Sequence, residues 1–266
     1  SIEEWREEYE KAMEDKKRAR SVKKDEQSGA TIEDAGSSKK TQDILRRRRH
    51  LVLLAQNQTG LNNLFKLVSE SYQSENFYRY PRIDYKLLKK YNEGIIAASA
   101  CLGGVYAGNY WENQEEGDEA VLNAMSETTE KMVDIFGDRW YAEIQWNNVK
   151  DQHKLNQYII QTAQKHDVKL LSTADSHYPD PEAWRDRELY TRLGWLGKGG
   201  LPAYMESELP DGVEEVGYEL YPKNGDEMWA SYKKYATEGG FKYDDQVILD
   251  SIEESHRIAF DRIEKF

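Results

Sequence analysis

The sequence has a single cysteine, so no internal disulfide framework can form, and a reducing, intracellular setting is the simplest reading. It has no apolar run of about 18 residues, which excludes a single-helix membrane span. No secretory signal pattern is present at the start. Basic residues are outnumbered, with 37 Lys and Arg against 49 Asp and Glu and a formal net charge of −12. That balance argues against strong autonomous binding to duplex nucleic acid, which depends on Lys and Arg neutralising phosphates. The nucleotide-loop signatures G-x-x-x-x-G-K-[ST] and G-x-G-x-x-G are missing, as are the G-x-S-x-G elbow and the H-E-x-x-H metal helix.

What the chain has is length and alternation. Its 266 residues suffice for one large domain or two small ones. The mean hydropathy of −0.90 is low for a globular protein, as expected when polar insertions dilute a core. Residues 1–20 read as a helix opened by a Ser1/Glu4 capping box, with Ile2, Trp5, Tyr9 and Met13 at helical spacing. Residues 21–45 are polar and read as a flexible loop. Order returns with Arg46–Arg49 and a buried strand over 50–55. A helix stripe of Leu61, Leu64, Phe65 and Val68 follows, then a short helix over 83–91 and a second apolar strand over 94–101, broken at Gly103-Gly104. An acidic helix over 116–136 is capped by Gly137. A strand over 140–146, a helix over 151–166 and a strand over 168–173 come next. Helices are predicted over 181–196, 225–236 and 245–264, with a Gly- and Glu-containing loop at 197–217. Strands alternating with helices indicate an α/β layered or barrel fold. Because the sequence opens on Ser1 rather than Met, it is expected to be a fragment of something longer.

The segment Leu170-Leu171-Ser172-Thr173-Ala174-Asp175-Ser176-His177-Tyr178 is the most pointed chemical signal: an apolar run ending in Asp-x-His. In barrel and doubly wound folds chemistry collects where a strand stops and its loop begins. Asp175 and His177 are either a metal-ligating pair or a capping Asp beside a surface His, and two ligands alone are too few for a metal. Cys101, between a buried strand and Gly103-Gly104, is either a core filler or a ligand. His50 lies at the wrong end of its strand if all strands run parallel, and at the same rim as Cys101 and Asp175 if its strand is an antiparallel return. Arg46–Arg49 suit either phosphate binding or a solvated edge. His153, His166 and His256 lie on helices and read as structural. Trp140, Tyr141, Trp146, Trp184 and Trp195 read as core or interface.

Several segments taken together resemble one family. They are His50–Leu64, Pro81–Asp84, Glu93–Gly104, Tyr141–Gln145 and Ser172–Tyr178. Their order and spacing are similar to the polymerase and histidinol phosphatase (PHP) domain, in the variant at the N-terminus of bacterial replicative DNA polymerase III alpha subunits. Tyr218–Tyr235 and the terminal helix also resemble the end of that domain, where it passes toward the polymerase palm. The resemblance implies a distorted (β/α)7 barrel, here incomplete, with a metal cluster at one rim. Residue by residue, His50, Cys101, Asp175 and His177 match family metal-site positions, and the implied cofactors are divalent zinc or manganese ions in the intact parent. The family's first motif, His-x-His with a nearby Asp, has no match. Val105 stands where the family has Glu, and Ala174 where it has Asn.

These correspondences divide the chain into a helical and flexible insertion at 1–49, a barrel portion at 50–217 and C-terminal helices at 218–266. The function implied is the PHP portion of a bacterial or phage replicative polymerase. Within it, the domain is either a metal-dependent 3′–5′ exonuclease or a scaffold, and the fragment alone is expected to be inactive. Implied partners are primer-template DNA, through the parent, and other replisome subunits, in the cytoplasm and away from membrane. The alternatives are a free-standing phosphoesterase acting on a small phosphate monoester and a non-catalytic interaction module.

Overall fold

The computed structural model describes Lys11 and residues 48–77, 80–147, 149–196 and 219–265. The helix expected over 1–20, the polar loop over 21–45, and Arg46 and Arg47 lie almost wholly outside the described residues, as does the loop at 197–217. Within the described residues the fold is mixed α/β, built on a four-stranded sheet in the order β1-β2-β3-β4.

Strand β1 (Val52–Ala55) pairs antiparallel with β2 (Ile95–Ala98), Val52 opposite Ala98 and Ala55 opposite Ile95. Strand β2 runs parallel to β3 (Trp140–Gln145), and β3 parallel to β4 (Lys169–Thr173). The parallel connections carry helices, as such crossovers must: α3 (Val105–Asn113) and α4 (Asp118–Phe136) join β2 to β3, and α5 (Lys150–His166) joins β3 to β4. Between β1 and β2 lie α1 (Gln58–Ser71), capped by the Asn57 side chain, and α2 (Tyr85–Tyr91), capped by Asp84. After β4 come α6 (Trp184–Leu196), α7 (Gly225–Glu238) and α8 (Asp245–Arg257).

Two expectations need correction. The strand over 50–55 was expected to be buried. It is shorter, lies at the edge of the sheet, and alternates exposed and half-buried positions, because within the described strands only β2 pairs with it. The terminal helix ends at Arg257, not 264, and gives way to a π-helical turn at Ile258–Arg262.

Side chains alternate across the sheet. One face sends Ile95, Ala97, Trp140, Ala142, Ile144 and Trp146 into the main core, which the helices cover. The other face carries a small apolar cluster at one end, with Ile96, Ala98, Tyr141 and Leu171 packed on Ile258. Helix α8 runs beside β4: Ser172 Oγ meets Ser251 Oγ at 2.7 Å, and Tyr141 Oη donates to Glu254 Oε1 at 3.0 Å. A second aromatic group ties α5 to α7 and the approach to α8, with Trp146 4.9 Å from Tyr232 and His153 5.1 Å from Tyr235 between ring centres.

Candidate functional site

The antiparallel return of β1 decides where His50 sits. It brings the start of β1 to the carboxyl end of β2: His50 N–H donates to Gly103 O at 2.8 Å, and His50 bridges Gly104. A side chain on Gly103 would meet the His50 ring at 3.0 Å, so glycine there lets the ring lie against the turn. His50 Nδ1 stands 3.9 Å from Cys101 Sγ. The strand ends of β2 and β4 therefore share one rim with the head of β1.

Both loops at this rim start from strained backbone. Ala100 (φ 61°) and Asp175 (φ 50°) occupy the left-handed region, which a residue with a Cβ enters at a cost and holds only where its surroundings dictate it. For Ala100 the surroundings are visible. Its N–H donates to Glu143 Oε2 at 3.1 Å, while Glu143 N–H donates to Ser99 Oγ at 2.9 Å. Glu143 is the residue that joins the rim together. It projects from the middle of β3, is 5 % exposed, and takes two further bonds on Oε1: from Thr173 Oγ1 at 2.6 Å, at the end of β4, and from Gln145 Nε2 at 3.1 Å. Burial pushes the Glu143 carboxyl up, the three donors oppose that shift, and Asp175 adds to it. Gln145 Nε2 also donates to Thr173 Oγ1 at 3.3 Å, and Gln145 Oε1 is a buried acceptor left without a donor among the described residues. Such an acceptor suits a water or another small donor held inside the rim.

The four residues nominated from sequence form two pairs. His50 lies beside Cys101. His177 Nε2 lies 3.5 Å from Asp175 Oδ2, both partly exposed. Burial raises the Cys101 thiol, the Gly103 backbone bond lowers it, and the Asp175 and Glu143 carboxylates raise it further. Among the described residues no group of three His, Cys, Asp or Glu side chains is placed to hold a metal ion. Glu143 completes no such group, and its carboxylate accepts from three protein donors. The described residues do not fit a metal by themselves, and no chemical step follows through one.

Other nominated residues resolve simply. Arg49 pairs with Glu112, its side chain lying where a Cβ on Gly108 would be, and Arg48 sits 3.8 Å over the Tyr80 ring. Both have protein partners in place of a phosphate. Trp140, Tyr141, Trp146 and Trp184 are buried, as core residues should be, and His153 is buried against Trp146 and Tyr235. Sequence reasoning missed Glu143, Gln145 and Thr173. The signal was available: an acidic residue inside a buried strand, here flanked by Ala142 and Ile144, is retained only if partnered.

The model of the PHP domain matches residues 7–147 of the chain. A DNA polymerase III subunit alpha of Aquifex aeolicus is 46% identical over 144 residues, which is 54% of this chain and 12% of that protein. The protein of the same name from Borreliella burgdorferi is 35% identical over 157 residues, 59% of this chain and 13% of its own length. The one from Campylobacter jejuni is 32% identical over 186 residues, 69% of this chain and 15% of its own length. The chain thus spans about one eighth of the relatives it matches. No helix among the described residues is long and apolar enough to cross a membrane.

Proposed function

The chain belongs to the PHP domain family, and from that premise we propose that it is the PHP portion of a DNA polymerase III alpha subunit, serving DNA synthesis as a scaffold. The parent would extend a primer 3′ end on template DNA, with other replisome subunits as partners, in the cytoplasm. The observation that carries the scaffold role is the occupied state of the rim. Glu143 accepts from Ala100, Thr173 and Gln145, so the buried carboxylate of β3 ties the loops after β2 and β4 together. Helix α8 fits the same role, since Ser251 and Glu254 join it to the sheet.

One observation favours a second reading, a metal-dependent 3′–5′ exonuclease. Ala100 and Asp175 keep left-handed backbone just after the ends of β2 and β4, on either side of β3, and strain of this kind gathers at working sites. In that reading His50, Cys101, Asp175 and His177 join zinc or manganese ligands from elsewhere in the parent. The metals would activate water against the terminal phosphodiester, while Glu143 keeps the loops in place.

Metal analysis and nuclease assay of the full-length parent separate the two. The scaffold reading expects an Asp175→Ala parent to keep its polymerase rate and its metal content. Two or three bound Mn or Zn ions, with nuclease activity that disappears in Asp175→Ala, would replace it with the exonuclease.

A further inference from the structure

Lys223 is the most deeply buried cation of the described ion pairs, its side chain 0% exposed. It lies just before α7, far in sequence from the rim. Its ammonium donates to Trp146 O at 2.9 Å, immediately after β3, and to Glu219 O at 3.0 Å, with Glu219 Oε2 at 3.6 Å. A buried ammonium is tolerated only with its donors satisfied. Here all of its partners lie on the end of β3 and on one short segment. That segment reaches the rim directly. Leu220 O accepts from His177 N–H at 2.8 Å and from Tyr178 N–H at 3.3 Å, and Leu220 N–H donates back to Tyr178 Oη at 2.9 Å. Glu219, between them, is held at φ 55°, a conformation that needs an external constraint in a residue other than glycine. Lys234 holds the other carboxylate oxygen of Glu219 at 2.8 Å from the exposed side.

We propose that Lys223 is a positioning residue for the rim: by tying the end of β3 to the Glu219–Leu220 backbone, it fixes the loop that presents Asp175 and His177. The apolar group of Tyr178, Trp184 and Leu220 packs the same segment but sets no register. Two aligned donors to two named carbonyls do set one. The inference rests on reading the strand ends as the working part of the chain. It holds whether that part is a scaffold or an exonuclease.

The test is amide hydrogen exchange and imidazole NMR on the whole chain, comparing wild type, Lys223→Met and Lys234→Met. Lys223→Met keeps the aliphatic stem and removes the donors. Exchange at His177 and Tyr178 is expected to rise at least tenfold while Glu143 and Ser99 stay protected. The His177 Cε1–H resonance is expected to move while that of His50, across the rim, does not. Lys234→Met is expected to leave all of these unchanged. Unaltered exchange at His177 and Tyr178, or equal shifts of both imidazoles, would overturn the proposal. If Lys223→Met does not fold, Lys223→Gln, which keeps part of the donor set, is expected to give the same local pattern at a smaller fold-change, and wild-type protection in it would overturn the proposal equally. The Asp175→Ala assay on the parent decides between scaffold and exonuclease without touching this outcome.

Discussion

On one face of the sheet, Trp140, Ala142 and Ile144 enter a continuous apolar core beneath the helices, and each is at most 1 % exposed. On the other face, the same strand offers Tyr141, Glu143 and Gln145, also buried; Glu143 and Gln145 bond to one another and to the strand ends, and the Tyr141 hydroxyl bonds to Glu254 and Arg262. The first face is fixed mainly by volume, with one polar contact, Trp140 Nε1 donating to Tyr106 Oη at 3.1 Å. The second is fixed by pairing, where each donor has a designated acceptor and the loss of one member strands the others. One strand thus supports stability on one side and geometry on the other, and the rim belongs to the second side.

Substitutions on β3 should separate these roles. The largest effect expected is from Trp140→Ala on the core face, a loss of about 4 kcal/mol in urea unfolding, with no selective change at Cys101. Glu143→Leu keeps the volume and removes the acceptors of Ala100, Thr173 and Gln145. It should cost about 3 kcal/mol and speed the reaction of Cys101 with a thiol reagent under native conditions. Equal Cys101 reactivity in the two variants would dissolve the distinction between the faces.

His153 offers a gentler probe of the aromatic pack on the core side. Burial holds its pKa below the ordinary 6.5, against weaker opposing effects of the Asn147 carbonyl and Glu238. As pH falls below 6.5 the unfolded chain takes up this proton first. The stability it contributes is therefore complete above that value and lost on acidification, with a slope of at most about 1.4 kcal/mol per pH unit. His153→Gln should flatten that limb of the stability–pH curve, and an unchanged slope would count against a buried neutral imidazole. The smallest effect belongs to the edge: Leu54→Ser on β1, at a side chain 37% exposed, should change stability by no more than about 0.5 kcal/mol.

Much of this layout was legible from periodicity. The α/β alternation and the strands at β2 to β4 follow from apolar runs and their punctuation, whereas the direction of the His50 strand stayed open in the sequence and is settled by its antiparallel pairing with β2. Less legible was anything set by what lies beside a segment. The run His50–Ala55 reads as buried because its residues are apolar, but exposure depends on the number of neighbouring strands. Arg49 has its partner Glu112 63 residues away, and Lys223 bonds to Trp146 77 residues away, so neither pairing leaves a local trace. Glu143 is the instructive middle case. Its acidic side chain within an apolar strand signals a buried partner, and only the fold supplies the identity of that partner.

Among the described residues the rim is held by protein hydrogen bonds centred on Glu143, while His50 with Cys101 and Asp175 with His177 form two separate pairs. Titration calorimetry of the whole chain with Mn²⁺ and with Zn²⁺, before and after Asp175→Ala, tests it most directly. No multi-ion binding that depends on Asp175 is expected. Two or three tightly bound ions lost on that substitution would contradict it.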